Sequence, residues 1–106
     1  MAKYLLAYHG GNMPESAEEQ AAALEAWGAW YGSLGAAVVD PGMPTGSAVS
    51  IAPDGSTSDG GGANPVSGWT VIEAGDLASA VEMAKGNPLL HGGGGSIEVC
   101  EAIEMM

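Results

Sequence analysis

Hydrophobic and polar residues change their spacing several times along the chain, and each change marks an element. Lys3 to His9 (KYLLAYH) is aromatic and aliphatic and stops at Gly10-Gly11, which predicts a first strand. Pro14 to Leu34 predicts a long helix, because Ala23, Trp27, Trp30 and Leu34 recur at helical spacing with Leu24 and Tyr31 beside them. Pro14 suits the first helical position, where its missing N–H costs nothing. Glu15, Glu18 and Glu19 suit the positive end of the helix dipole. Ser16 and Glu19 have capping-box spacing and offer an alternative start. Gly35 supplies the stop. Gly28 lies inside this helix, where a close packing contact would account for it.

Ala36 to Val39 predicts a short strand, closed by Asp40-Pro41-Gly42. Ser47 to Ala52 alternates weakly and reads as another strand. Pro53-Asp54-Gly55 is a turn signal, so a short return follows near Ser56 to Ser58. Asp59 to Pro65 is a loop, and Gly68 to Glu73 (GWTVIE) is the clearest strand. Asp76 can cap a second helix, Leu77 to Lys85, with Leu77, Ala80, Val81 and Ala84 on one face. Gly86 and Pro88 stop it. Ser96 to Ile103 is the last strand, with Ile97, Val99 and Ile103 alternating with Glu98 and Cys100.

The order is β-α-β-β-β-α-β, one middle strand more or fewer. Strand, helix, strand pair, helix, strand is the split-βαβ, ferredoxin-like pattern: an α+β fold with two helices on one face of an antiparallel sheet. The other face is left open. A sheet this hydrophobic would expose a large apolar patch there, and a homodimer joined sheet against sheet is the economical solution.

Composition narrows the possible partners. The 106 residues make one domain, residues 1–106, and include 18 Gly and no Phe. The formal charge is −11, from 13 acids against Lys3 and Lys85 alone. A nucleic-acid binder neutralises phosphates with Lys and Arg, so that class is excluded. The same field repels anionic membranes and phosphorylated substrates, and it leaves small neutral or cationic molecules as ligands. It is equally the field of a protein that is simply kept soluble. Cys100 is the only cysteine, so no internal disulfide forms. The start lacks a charged segment leading into an apolar run of signal-peptide length, and no apolar stretch reaches about 18 residues. A cytoplasmic location is expected.

Four stretches carry a family likeness: the start KYLLAYHGG, the run LGAAVVDPGMP, the stretch DGGGANPVSGWTVIEA, and AKGNPLL followed by GGSIEV. In this order they resemble the YCII-related family, near its DGPF-domain branch. The resemblance spans nearly the whole chain. It implies ferredoxin-like subunits that join as a dimeric α+β barrel. The family's name-giving tetrapeptide survives here as Asp59-Gly60, with Gly61-Gly62 where Pro-Phe would stand. The YCII branch is similar in carrying a His on the first helix paired with an Asp, but this first helix has no His. Asp40 and His9 are what remains of such a pair. The resemblance to DGPF-type members also implies a second role, a regulatory module associated with extracytoplasmic-function sigma factors.

His9 is the residue best suited to proton transfer, since imidazole titrates near neutrality. It ends a strand beside two glycines, where a ligand can approach the backbone. On alternation, Lys3, Leu5, Ala7 and His9 share a face. First and last strands are neighbours in a split-βαβ sheet, which brings Glu98 toward His9. A His–carboxylate pair near Trp30, Asp40 and Trp69 would make a general acid/base site. Each residue also has a plain structural reading. His9 can be held at a strand end, Asp40 can hold its turn, and Glu98 can face solvent. Trp27 and Trp30 can pack in the core, with a ligand-stacking wall as the other reading.

The loop Asp59 to Asn64 can serve as a lid over the open face, with Asn64 as a ligand contact. Cys100 reads as a small buried hydrophobe. The two His are far apart and lack a ligand-spaced pair, so no metal is implied, and no cofactor either. The Gly92 to Gly95 run leads into a strand, unlike a phosphate loop, and serves as an adaptable connection. The expected function is therefore small-molecule binding or acid/base catalysis at the open face. Catalysis would rest on His9, Asp40 and Glu98, and binding on Trp30, Trp69 and Asn64. The alternative is a non-catalytic accessory module acting through protein contacts.

Overall fold

The computed structural model describes residues 1–11, 15–91 and 94–103. The elements are β1 (Ala2–Gly10), α1 (Ala17–Leu34), β2 (Val38–Asp40), β3 (Val49–Ile51), β4 (Thr57–Asp59), β5 (Val66–Ala74), α2 (Leu77–Ala84) and β6 (Gly95–Ala102). It is an α+β fold. Four strands form one antiparallel sheet in the order β2-β5-β1-β6, and β3 and β4 form a separate two-stranded sheet. Among the described residues no helix is long and apolar enough to cross a membrane.

Helix α1 starts at the capping-box position. The Ser16 hydroxyl accepts from the Glu19 amide at 3.0 Å, and the Glu19 carboxylate accepts from the Glu15 amide at 3.1 Å. Pro14 lies outside the described residues, as do Gly92 and Gly93 of the glycine run. Gly35 closes α1 with φ +56°, and the chain makes one 3-10 turn over Gly35–Ala37 before extending. The expected strand Ala36 to Val39 therefore begins only at Val38. Asp76 caps α2 by accepting from the Ser79 amide at 2.8 Å.

One face of the sheet is covered. Tyr4, Leu6 and Tyr8 of β1 with Ile72 and Ala74 of β5 meet Trp30 of α1 and Ala80 and Ala84 of α2 in the core. Two polar groups are buried with them and are satisfied. The Tyr8 hydroxyl donates to Thr70 Oγ1 at 2.6 Å, and Thr70 donates to the Pro41 carbonyl at 3.0 Å. Asn87 donates to the Tyr8 oxygen at 3.3 Å and accepts from the Leu89 amide at 2.8 Å.

Strand alternation sends the odd residues of β1 to the other face. Ala7 stands between Trp69 and Glu98, and Leu5 between Val71 and Cys100. Among the described residues no helix covers this face, and they span only 18 Å along the shortest axis, one sheet plus one helix layer. The other extents are 44 and 41 Å.

The middle segment is where the sequence reading was incomplete. Four strands separate the helices, and the hairpin β3–β4 stays out of the main sheet. It projects as an arm with Val49 and Ile51 61% and 74% exposed. The arm lifts the radius of gyration to 15.1 Å, against about 13 Å for a compact chain of this length. Its tip is the expected Pro53-Asp54-Gly55 turn, where Asp54 accepts from the Ser56 hydroxyl at 2.6 Å and its amide at 2.9 Å. These bonds hold the Asp54 carboxyl below the usual range.

Gly28 has open space where its Cβ would be, so the close contact expected there is absent.

Candidate functional site

His9 lies on the uncovered face, yet it is only 9% exposed. A bulge explains this. Tyr8 pairs with Gly68 but His9 pairs with Val66, leaving Ser67 as an extra residue in β5. The chain before Val66 is thereby turned over the imidazole. The carbonyls of Asn64 and Pro65 lie 3.0 and 3.2 Å from Nδ1. Carbonyl oxygens only accept, so Nδ1 carries a hydrogen and donates it to both.

The other ring nitrogen faces Glu98. Nε2 is 3.3 Å from Oε1, at ion-pair distance but without hydrogen-bond geometry. Nε2 is buried with no hydrogen-bond partner among the described residues. Glu98, by contrast, is 66% exposed and sits on the edge strand β6, in contact with water. The Cys100 thiol lies 3.8 Å from its second oxygen as a weak donor.

Across the sheet, Trp69, Ala7 and Glu98 form one row. Only a methyl stands at its centre, between an indole and a carboxylate. Gly42 sits against Trp69: an added Cβ would approach the Trp69 carbonyl oxygen at 1.8 Å and the indole at 3.0 Å. The indole side of the row is thus fixed by a glycine turn. Ala7 and Gly42 were not legible as site residues, although the alternation Lys3, Leu5, Ala7, His9 already put the small residue next to the histidine.

Two expected site residues are not brought here. Asp40 is on β2, the opposite edge of the sheet, with β5 and β1 between it and β6. Its carboxylate accepts from the Gly42 amide at 2.9 Å and holds the turn. Trp30 is on the helix side of the sheet, 5% exposed in the core. Its Nε1 donates to the Met83 carbonyl at 3.0 Å, and its ring packs edge-on against Trp27 at 6.0 Å. Helix α1 packs on the Tyr4–Leu6–Tyr8 face, so its tryptophans cannot wall the opposite one. Asn64 does reach His9, through its main-chain carbonyl.

Two hollows mark the surface elsewhere. One of about 500 Å³ lies between α1 and the turn at Pro88, lined by Ala29, Trp30 and Pro88 among others. The second, about 420 Å³, lies between Lys3 and Ile103 at the far end of β1. Neither includes His9 or Glu98. Among the described residues, no three or more His, Cys, Asp or Glu side chains are grouped to hold a metal ion. His91 is exposed and its Nε2 donates to the Lys85 carbonyl at 2.7 Å. No family model matches the chain, and no curated protein matches it.

Proposed function

We propose that this chain is a small-molecule-binding domain with general acid/base capacity, working at the uncovered sheet face. The observation that carries the reading is His9. Its Nδ1 is committed to two carbonyls, which leaves Nε2 as a buried base 3.3 Å from an exposed carboxylate. Nε2 is buried beside the 66% exposed Glu98 side chain, so a bound molecule gives its proton to Nε2 when that side chain swings aside. The positive charge that develops there faces Glu98, and the proton leaves to water along that exposed side chain.

The wider reading is a ferredoxin-like subunit in a cytoplasmic homodimer, in keeping with the resemblance to the YCII-related family. Its support is the strand order with both helices on one face, and the apolar row Leu5, Ala7, Trp69, Val71 and Cys100 on the other. A second copy laid over that face would enclose the site. The charge of −11 argues against nucleic acid as a partner.

A second reading, an accessory module acting through protein contacts, is favoured by the arm. An isolated two-stranded hairpin is marginal in water, and Val49 and Ile51 lie exposed on one side of it. A metabolite-binding screen of wild type beside His9→Ala separates the two. Ligands that bind wild type and are lost from the variant support the first reading. Ligands indifferent to His9, together with protein capture that depends on Val49 and Ile51, support the second.

A further inference from the structure

His9 Nε2 and Glu98 Oε1 are both hydrogen-bond acceptors when the ring is neutral, because the ring's hydrogen is held on Nδ1 by the Asn64 and Pro65 carbonyls. Two acceptors 3.3 Å apart, one of them buried without a partner among the described residues, call for a donor shared between them. A hydroxyl must divide its single hydrogen between the two acceptors, and a neutral amide has two hydrogens but no charge to set against the carboxylate. An ammonium or amidinium group has several hydrogens, and carries the positive charge that a carboxylate favours.

The rest of this face fits the same ligand. Trp69 stands across the alanine floor from Glu98, two strand spacings away, or about 10 Å. That is room for one small organic group between an aromatic face, which attracts cations, and a carboxylate. The chain's charge of −11 draws cations toward it and repels anions.

Resting on the reading of His9 and Glu98 as a binding site, we infer that the ligand is a small organic cation, a primary amine or amidine, whose N–H groups are shared between His9 Nε2 and the Glu98 carboxylate beside Trp69. Simple metal ions are a poorer match, because the described residues offer no third grouped ligand.

The test is a titration of the full chain with benzylammonium and benzamidinium, and with their neutral counterparts benzyl alcohol and benzamide, followed by calorimetry and by the ¹⁵N signals of the His9 ring. At least one cation is expected to bind about tenfold or more tighter than its neutral counterpart and to move the Nε2 signal. Glu98→Gln should weaken that cation about tenfold. Glu101→Gln, which removes the same charge from the opposite face of β6, should leave it within about twofold.

Equal binding of cation and neutral counterpart overturns the cation assignment while leaving the binding site in place. An equal loss in both variants also overturns it, since the effect would then be the overall field. No movement of the His9 signals with any of the four compounds overturns the assignment; if the metabolite screen likewise gives no His9-dependent ligand, the proposed function fails as well. Zn²⁺ bound at Nε2 in preference to either cation overturns the assignment in favour of a metal.

Discussion

Gly42 and Trp69 touch so closely that no other residue fits at position 42. A Cβ there would stand 1.8 Å from the Trp69 carbonyl oxygen, and the backbone has φ +71°. Gly42→Ala must move either the turn after β2 or the centre of β5. The expected loss is on the order of 2 kcal/mol or more, read as a fall in melting temperature of roughly 5–15 °C. Trp69 fluorescence should shift with it. An unchanged melting curve would contradict the contact.

Gly28 is the opposite case. It lies in the middle of α1 with nothing within 4 Å of its would-be Cβ. Gly28→Ala should stabilise the protein by about 0.5–1 kcal/mol, measured as an upward shift in the denaturation midpoint. A destabilised variant would mean that this part of α1 is closely packed in solution, for instance against a second copy.

Tyr8 links the core to alkaline pH. Burial pushes its phenol up to about 12 from 10.0, against the opposing bond to Thr70. The folded state thus favours the protonated phenol. The stabilisation is fully present below pH 10, and it is lost as pH rises from about 10 through about 12. Allowing for solvent screening, the loss is on the order of 1–2 kcal/mol. Denaturant midpoints of wild type and Tyr8→Phe should converge over that window. Parallel pH curves would contradict the role given to Tyr8.

Most of the architecture was legible in the sequence because its signals are local. The capping serine and aspartate, the glycine and proline stops and the alternation of β1 and β6 each reflect one element's own chemistry. Glu98 was expected beside His9 from topology alone, and it lies there at 3.3 Å. Asp40 and Trp30 were misplaced because their positions depend on tertiary choices: which edge β2 occupies, and which sheet face α1 covers. Neither is encoded in residue spacing. The arm was missed as a separate sheet because two strands of three residues carry a hairpin signal but nothing that says what they pack on. The bulge at Ser67, which buries His9, has no sequence mark beyond the nearby Gly68.

The proposed dimer predicts a solution particle of twice the 10.5 kDa chain mass. Leu5 and Val71 are directly opposed on the uncovered face. Leu5→Glu or Val71→Glu should place an unpaired charge in the interface and give monomers in sedimentation analysis, with the helical signal of the fold retained. A wild-type protein that sediments as a monomer at high concentration would remove the second subunit from the account.

One hydrogen decides what the site can do, the one on His9 Nδ1. A long-range ¹H–¹⁵N correlation spectrum of the imidazole in the ligand-free protein, recorded across a pH series, reports directly which nitrogen carries it. The predicted pattern is that of the Nδ1–H tautomer, leaving Nε2 open beside Glu98. A ring protonated at Nε2 instead would turn a donor toward the carboxylate and leave no base at that position.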